Sequence, residues 1–126
     1  MSNPMDVYKK VEQDTLSGRE VEAAVLVKAA EKLEDCRNSW EAPDREQKLD
    51  ESIKFNQLIW SIFQSELATE DNPLPKEIRV NLLRLSAFID KRSLETIASP
   101  AVEKLKILID INRNIAAGLR ETPKAA

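Results

Sequence analysis

The chain has 126 residues, 42% of them hydrophobic and 33% charged, and its 19 basic and 22 acidic residues give a net charge of -3. This length fits one domain with a real core, and the charge balance provides no strong field that would attract nucleic acid. The sequence has no histidine, two glycines and one cysteine. Because active sites, zinc sites and phosphate-binding loops usually draw on these residues, we expect no enzyme, cofactor or small-molecule substrate.

The first half of the chain predicts helices. Residues 3–13 suit a short leading helix, because asparagine followed by proline is typical of a helix start. Residues 17–20 form a capping box that opens a second helix, which ends near Ser39. The predicted buried face of this helix is apolar and includes the cysteine: Val21, Val25, Ala29, Leu33 and Cys36.

Residues 44–47 form another capping box, which opens a helix from about Arg45 to Ala68. This is the most apolar of the predicted helices, and its apolar residues cover more than the single stripe of a surface helix. One seam follows the 4,3,4,3,4 spacing that keeps side chains on one helix face: Leu49, Ile53, Asn56, Trp60, Phe63 and Leu67.

Two prolines in residues 69–75 predict a loop, and the next helix should begin near Pro75 and end near residues 90–92. A separate helical turn is expected at 94–98. The predicted inner seam of the main helix is aliphatic: Ile78, Leu82, Leu85 and Ile89.

Ser99 and Pro100 predict the start of the last helix, which should run to about Leu119 with Gly118 close to its end. Residues 120–126 are expected to form a disordered tail. The sequence therefore predicts an all-α, single-domain helical bundle over residues 1–119, with four main helices and a short N-terminal helix. Neighbours in sequence should pack antiparallel.

Asparagines interrupt two apolar seams at matching positions, Asn56 in the third predicted helix and Asn112 in the last. A buried amide without a partner costs about 1–3 kcal/mol, so each should be paired. We expect both to be buried and hydrogen-bonded within the bundle, as structural polar residues. Contact with another protein is the alternative.

Other candidate sites are less specific. Trp60 and Phe63 either fill the core or anchor a partner, since aromatic residues dominate interfaces. The carboxylates of Glu31, Glu34 and Asp35 crowd one helical turn, where a solvated charged face is a better interpretation than a cation site. The first residues lack the pattern of a signal peptide and no apolar run is long enough for a membrane span, so we expect a cytoplasmic protein.

Four blocks of sequence are distinctive: Arg19-Glu20-Val21-Glu22-Ala23-Ala24, Asn56-Gln57-Leu58-Ile59-Trp60, Asn72-Pro73-Leu74-Pro75 with Arg79-Val80-Asn81-Leu82-Leu83, and the run from Leu108 to Leu119. Together they resemble the flagellar biosynthesis regulator FlaF family. The blocks occur in the same order as in that family, and the resemblance covers nearly the whole chain.

The resemblance implies a cytoplasmic flagellum biogenesis factor whose partner is flagellin and which acts beside a regulator, FlbT. Two roles follow from it: a secretion chaperone that masks apolar flagellin helices before export, or an adaptor of flagellin expression acting through FlbT or flagellin mRNA. We expect no direct nucleic-acid binding. The candidate partner-binding residues are Phe55, Ile59, Trp60, Phe63, Arg79 and Asn81.

Overall fold

A computed structural model describes the backbone of residues 4–121 and the side chains of residues 18–121. It contains four helices: α1 (Pro4–Asn38), α2 (Arg45–Leu67), α3 (Lys76–Ala98) and α4 (Glu103–Glu121). The described residues include no strand, so the all-α class is confirmed. Arg120 and Glu121 belong to α4 rather than to a tail, while residues 122–126 of the predicted tail lie outside the described residues.

The helices alternate in direction around the bundle. Lys48 of α2 pairs with Asp35 of α1 at 3.6 Å, which sets the antiparallel register of these neighbours. Arg120 of α4 lies 3.4 Å from Glu20 of α1, so the last helix also runs antiparallel to the first and closes the bundle. Within the described chain, α1 packs on α2 and α4, whereas α2 and α4 lie diagonally opposite and their backbones do not touch.

α1 is a single helix, so the predicted separate helix ending near residue 13 is not confirmed and the helix start predicted at residues 17–20 is wrong. Gly18 lies inside α1 with a negative φ. Glycine in a helix interior costs about 1 kcal/mol relative to alanine, a penalty that good helix formers on both sides can offset. Val21 was expected to be buried but is 60% exposed, while Ala29, Leu33 and Cys36 are buried as predicted.

α2 begins and ends within one residue of its predicted limits. Its first turn lacks the predicted capping interaction, because the Asp44 side chain accepts no hydrogen bond from the helix. The backbone carbonyl of Asp44 accepts one instead, from the Lys48 N–H at 3.0 Å. The inner seam of α2 is confirmed in all but one position. Phe63 is half-buried, and the other five residues are buried: Leu49, Ile53, Asn56, Trp60 and Leu67.

α3 continues through the predicted break at residues 90–92 and ends at Ala98. The Thr96 hydroxyl donates to the Arg92 carbonyl at 2.7 Å across this stretch, a bond compatible with unbroken helix. The predicted aliphatic inner seam is confirmed only towards its end, where Ile89 is buried and Leu85 packs partly against the core, whereas Ile78 at its start is 46% exposed. The inner face of α3 is instead mostly small and polar: Ser86, Ile89, Ser93 and Thr96.

α4 begins at Glu103, three residues after the predicted start at Pro100. A turn comes first, in which the Ala101 and Val102 carbonyls accept from the backbone N–H groups of Lys104 and Leu105, each at 3.1 Å. Gly118 lies within the helix and does not end it. No helix in the part of the chain that is described is long and apolar enough to cross a membrane.

Candidate interaction surface and the buried polar chain

A chain of buried hydrogen bonds crosses the bundle diagonally between α2 and α4. The indole Nε1–H of Trp60 donates to Oδ1 of Asn112 at 2.9 Å, and Nδ2 of Asn112 donates to Oδ1 of Asn56 at 2.7 Å. Trp60 is 1% exposed and both asparagines are fully buried. The prediction that the two asparagines are buried and bonded inside the bundle is therefore confirmed by the geometry.

The direction of this chain follows from its first member. An indole N–H can only donate, so Asn112 must turn its carbonyl oxygen towards Trp60. Its amide nitrogen then faces Asn56, whose oxygen must accept. The order of donors and acceptors thus allows one arrangement, which fixes the rotamers of three side chains and the axial register of α2 against α4.

Some buried polar groups of α2 and α3 have no hydrogen-bond partner in the described part of the chain. Nδ2 of Asn56 has no hydrogen-bond partner among the described residues, and neither do the hydroxyls of Ser86 and Ser93 on the inner face of α3. Buried polar atoms of this kind each cost free energy. Two of these unsatisfied groups thus lie on the inner face of α3.

The four candidate residues of α2 differ in burial: two are buried and two are half-buried. Ile59 is 8% exposed and Trp60 is buried, so neither presents an accessible surface in this conformation. Phe63 is half-buried, with its ring edge-on to Trp60 at a centroid distance of 5.8 Å. Phe55 is also half-buried, beneath the ammonium groups of Lys28 and Lys32 at 6.0 and 5.2 Å from its ring centroid.

The candidates of α3, Arg79 and Asn81, lie near the loop that precedes the helix. The Arg79 guanidinium donates to the Thr69 carbonyl at 2.9 Å, so it holds the loop onto the start of α3. Asn72 steadies the same loop by accepting from the Leu74 N–H and donating to the Glu66 carbonyl, each at 3.0 Å. Asn81 is exposed and accessible to a partner. The site candidates are thus not brought together into one surface.

The exposed large hydrophobic residues are concentrated elsewhere. α3 holds four of the eight among the described residues, whereas α4 holds one: Ile78 (46%), Phe88 (36%), Leu94 (62%) and Ile97 (43%) on α3, against Ile107 (38%) on α4. α2 adds Leu58 and Ile62, and α1 adds Val21. The sequence predicted a helix end at residues 90–92 and a separate turn at 94–98, so it did not place Leu94 on the outward side of a continuous α3.

Two titratable groups of α1 have shifted pKa values. Burial, with a smaller contribution from nearby Glu66, raises the pKa of the Glu22 carboxyl, and burial raises the pKa of the Cys36 thiol. No cluster of three or more potential metal ligands occurs among the described residues. In the acidic turn of α1, Glu34 pairs with Arg37 at 3.4 Å and Asp35 pairs with Lys48.

Comparison with known families supplies the remaining evidence. The model of one protein family, described as flagellar protein FlaF, matches residues 4–119, which span all of α1, α2 and α3 and most of α4. No curated protein and no solved structure matches the chain.

Proposed function

We propose a function from the premise that this chain belongs to the flagellar protein FlaF family and so has a role in flagellar biogenesis. The proposed function is that of a cytoplasmic secretion chaperone that binds flagellin and masks its apolar helices before export. The protein would act by contact alone, without catalysis.

The exposed apolar residues of α3 are the observation that carries this proposal. A helix of a bundle normally turns its large apolar residues inwards, whereas α3 keeps four of them exposed. Phe88 and Leu94 lie towards the outward side of α3, while Ser86 and Ser93 face the core. The outward side of α3 can receive an amphipathic helix by the packing used in helix recognition.

Flagellin suits this mode of binding for a physical reason. Its terminal segments are helices with apolar faces that become covered only in the filament, so the free subunit is prone to self-association. A helical bundle that covers one of these faces would keep flagellin monomeric and available for export. The family membership and the exposed apolar residues of α3 both support this role.

The test is binding between the purified protein and purified flagellin after nuclease treatment, followed by size-exclusion chromatography and calorimetry. We expect a stoichiometric complex that forms without RNA or FlbT and that delays flagellin self-association. The adaptor role is the competing outcome: a stable complex with FlbT or flagellin mRNA, together with no complex with flagellin, would overturn the chaperone proposal.

A further inference from the structure

The solvent side of α3 has the spacing of a helix-docking seam. Arg84, Ala87, Lys91, Leu94 and Ala98 follow a 3,4,3,4 spacing, which places them on one face of a helix, and all five are exposed. Phe88 adjoins this face and is also exposed. We call these six residues the outer seam: Arg84, Ala87, Phe88, Lys91, Leu94 and Ala98.

The shape of the outer seam suits one helix lying along it. Ala87 and Ala98 are small, so another backbone can come close, while Phe88 and Leu94 stand on either side with 36% and 62% of their surfaces exposed. α3 has 23 residues and is unbroken, so it is about 34 Å long at 1.5 Å per residue. The outer seam itself spans about four turns, so a partner helix of about four turns would contact its full length.

The charges of the outer seam are unmatched. Arg84 and Lys91 stand seven residues apart, or about two helical turns, and neither forms an ion pair with any described residue. The exposed carboxylate of Glu95, four residues after Lys91 in α3, pairs with Arg92 at 3.7 Å. The guanidinium of Arg92 also covers the ring of Phe88 at 5.5 Å, which adds to the cationic character of this side of the helix.

These charges select the occupant. Arg84 and Lys91 lie on opposite sides of Phe88 along the helix. If two copies of α3 packed against each other with their outer seams centred on Phe88, the cations of one copy would therefore lie opposite the cations of the other, whether the helices ran parallel or antiparallel. Like charges at contact oppose association, whereas complementary charges set partner choice and register. A helix with acidic residues two turns apart beside an apolar stripe matches the seam in both charge and shape.

We infer that the outer seam of α3 is where flagellin docks, through an amphipathic helix that carries two acidic residues seven positions apart. This inference rests on the proposed chaperone function and adds to it the docking surface and the charge pattern of the recognised helix. Arg84 and Lys91 set its orientation, and Phe88 and Leu94 provide the apolar contacts.

The experiment measures the dissociation constant of the complex between the full chain and purified flagellin. Arg84→Glu with Lys91→Glu should weaken binding about tenfold or more and remove most of its salt dependence, because reversed charges repel an acidic helix. Leu94→Ser should weaken binding several-fold. The charge controls are Lys54→Glu with Lys106→Glu, which make the same change in net charge on α2 and α4 and also remove the exposed ion pairs with Asp50 and Asp110, each of which contributes little to stability. The apolar control is Leu58→Ser, because Leu58 is 57% exposed on α2.

Circular dichroism melts verify that each variant keeps the wild-type helical signal and unfolding midpoint, as expected for exposed positions. Unchanged binding by both outer-seam variants, or loss of binding with Leu58→Ser alone, would overturn the inference and leave the chaperone function standing. Failure of the unmodified chain to bind flagellin would instead remove the chaperone function, and the inference with it. The two failures are therefore distinguishable.

Discussion

α2 and α3 have 23 residues each, but they bury different kinds of side chain in the core. α2 buries Leu49, Ile53 and Trp60 and joins α4 through the hydrogen bonds of Asn56 and Asn112. α3 fully buries one large aliphatic residue, Ile89, beside small hydroxyl residues and packs Leu85 partly against the core, while four of its large apolar side chains are exposed.

This difference assigns separate tasks to the two helices. Fixed geometry comes from α2, because a fully buried hydrogen-bonded chain has one arrangement and is costly to disturb. α3 contributes little to the core and so retains apolar area for another molecule. Stability and recognition are thus carried by different helices, and substitutions should affect one without the other.

The largest expected effect is from Asn112→Ala. This change removes the acceptor of the Trp60 indole and the donor to Asn56, and two buried polar groups left without partners cost together about 2–6 kcal/mol. Urea unfolding followed by circular dichroism measures the loss. Asn114→Ala is the control, since Asn114 is exposed on the same helix and its loss should change the free energy of unfolding by less than about 0.5 kcal/mol.

Leucine truncations compare the two sides of the bundle directly. Leu33 is fully buried in α1, so Leu33→Ala should lower the free energy of unfolding by about 2–5 kcal/mol through lost burial and a residual cavity. Leu94→Ala removes the same atoms from an exposed position of α3 and should cost less than about 0.5 kcal/mol. Similar losses at both positions would show that α3 is packed inwards in solution.

The polar inner face of α3 predicts that removing its unpaired serine hydroxyls stabilises the fold. Ser86→Ala and Ser93→Ala each remove a buried hydroxyl that has no partner, so each should raise the free energy of unfolding by about 1 kcal/mol. Ser52→Ala in α2 should lower it by about 1 kcal/mol, because the Ser52 hydroxyl donates to the Leu49 carbonyl at 3.1 Å. Destabilisation by all three substitutions would contradict the proposed contrast between the helices.

The smallest effect concerns pH and the contact of α1 with α2. Folding raises the pKa of Glu22, mainly by burial, so the folded chain holds this proton more tightly and loses stability as the pH rises through that raised pKa. Glu22→Gln should therefore raise the unfolding midpoint at neutral pH, and the difference should vanish below about pH 4, where the carboxyl is protonated in both states. Thermal melts at both pH values test this, with exposed Glu31→Gln as the control.

Helix content and much of the core could be predicted from spacing alone. The seam of α2 was identified except for the half-buried Phe63, since a strong 3.6-residue period over six turns leaves one face to bury. Local end signals were poorer guides: the serine and glycine before Arg19 and the charges at 90–92 suggested breaks, yet α1 and α3 continue through them. Tertiary packing outweighs such signals because each is worth only about 1 kcal/mol.

The sequence by itself determined the all-α class, the two asparagines inside apolar seams and the resemblance to the FlaF family, because periodicity and ordered sequence blocks are local properties. Only the tertiary structure decided which polar group is hydrogen-bonded to each asparagine, since Trp60 and Asn112 are 52 residues apart in the chain. It also decided which face of α3 turns outwards. Apolar residues lie on several sides of that helix, and the choice among them depends on the space that α2 and α4 leave beside it.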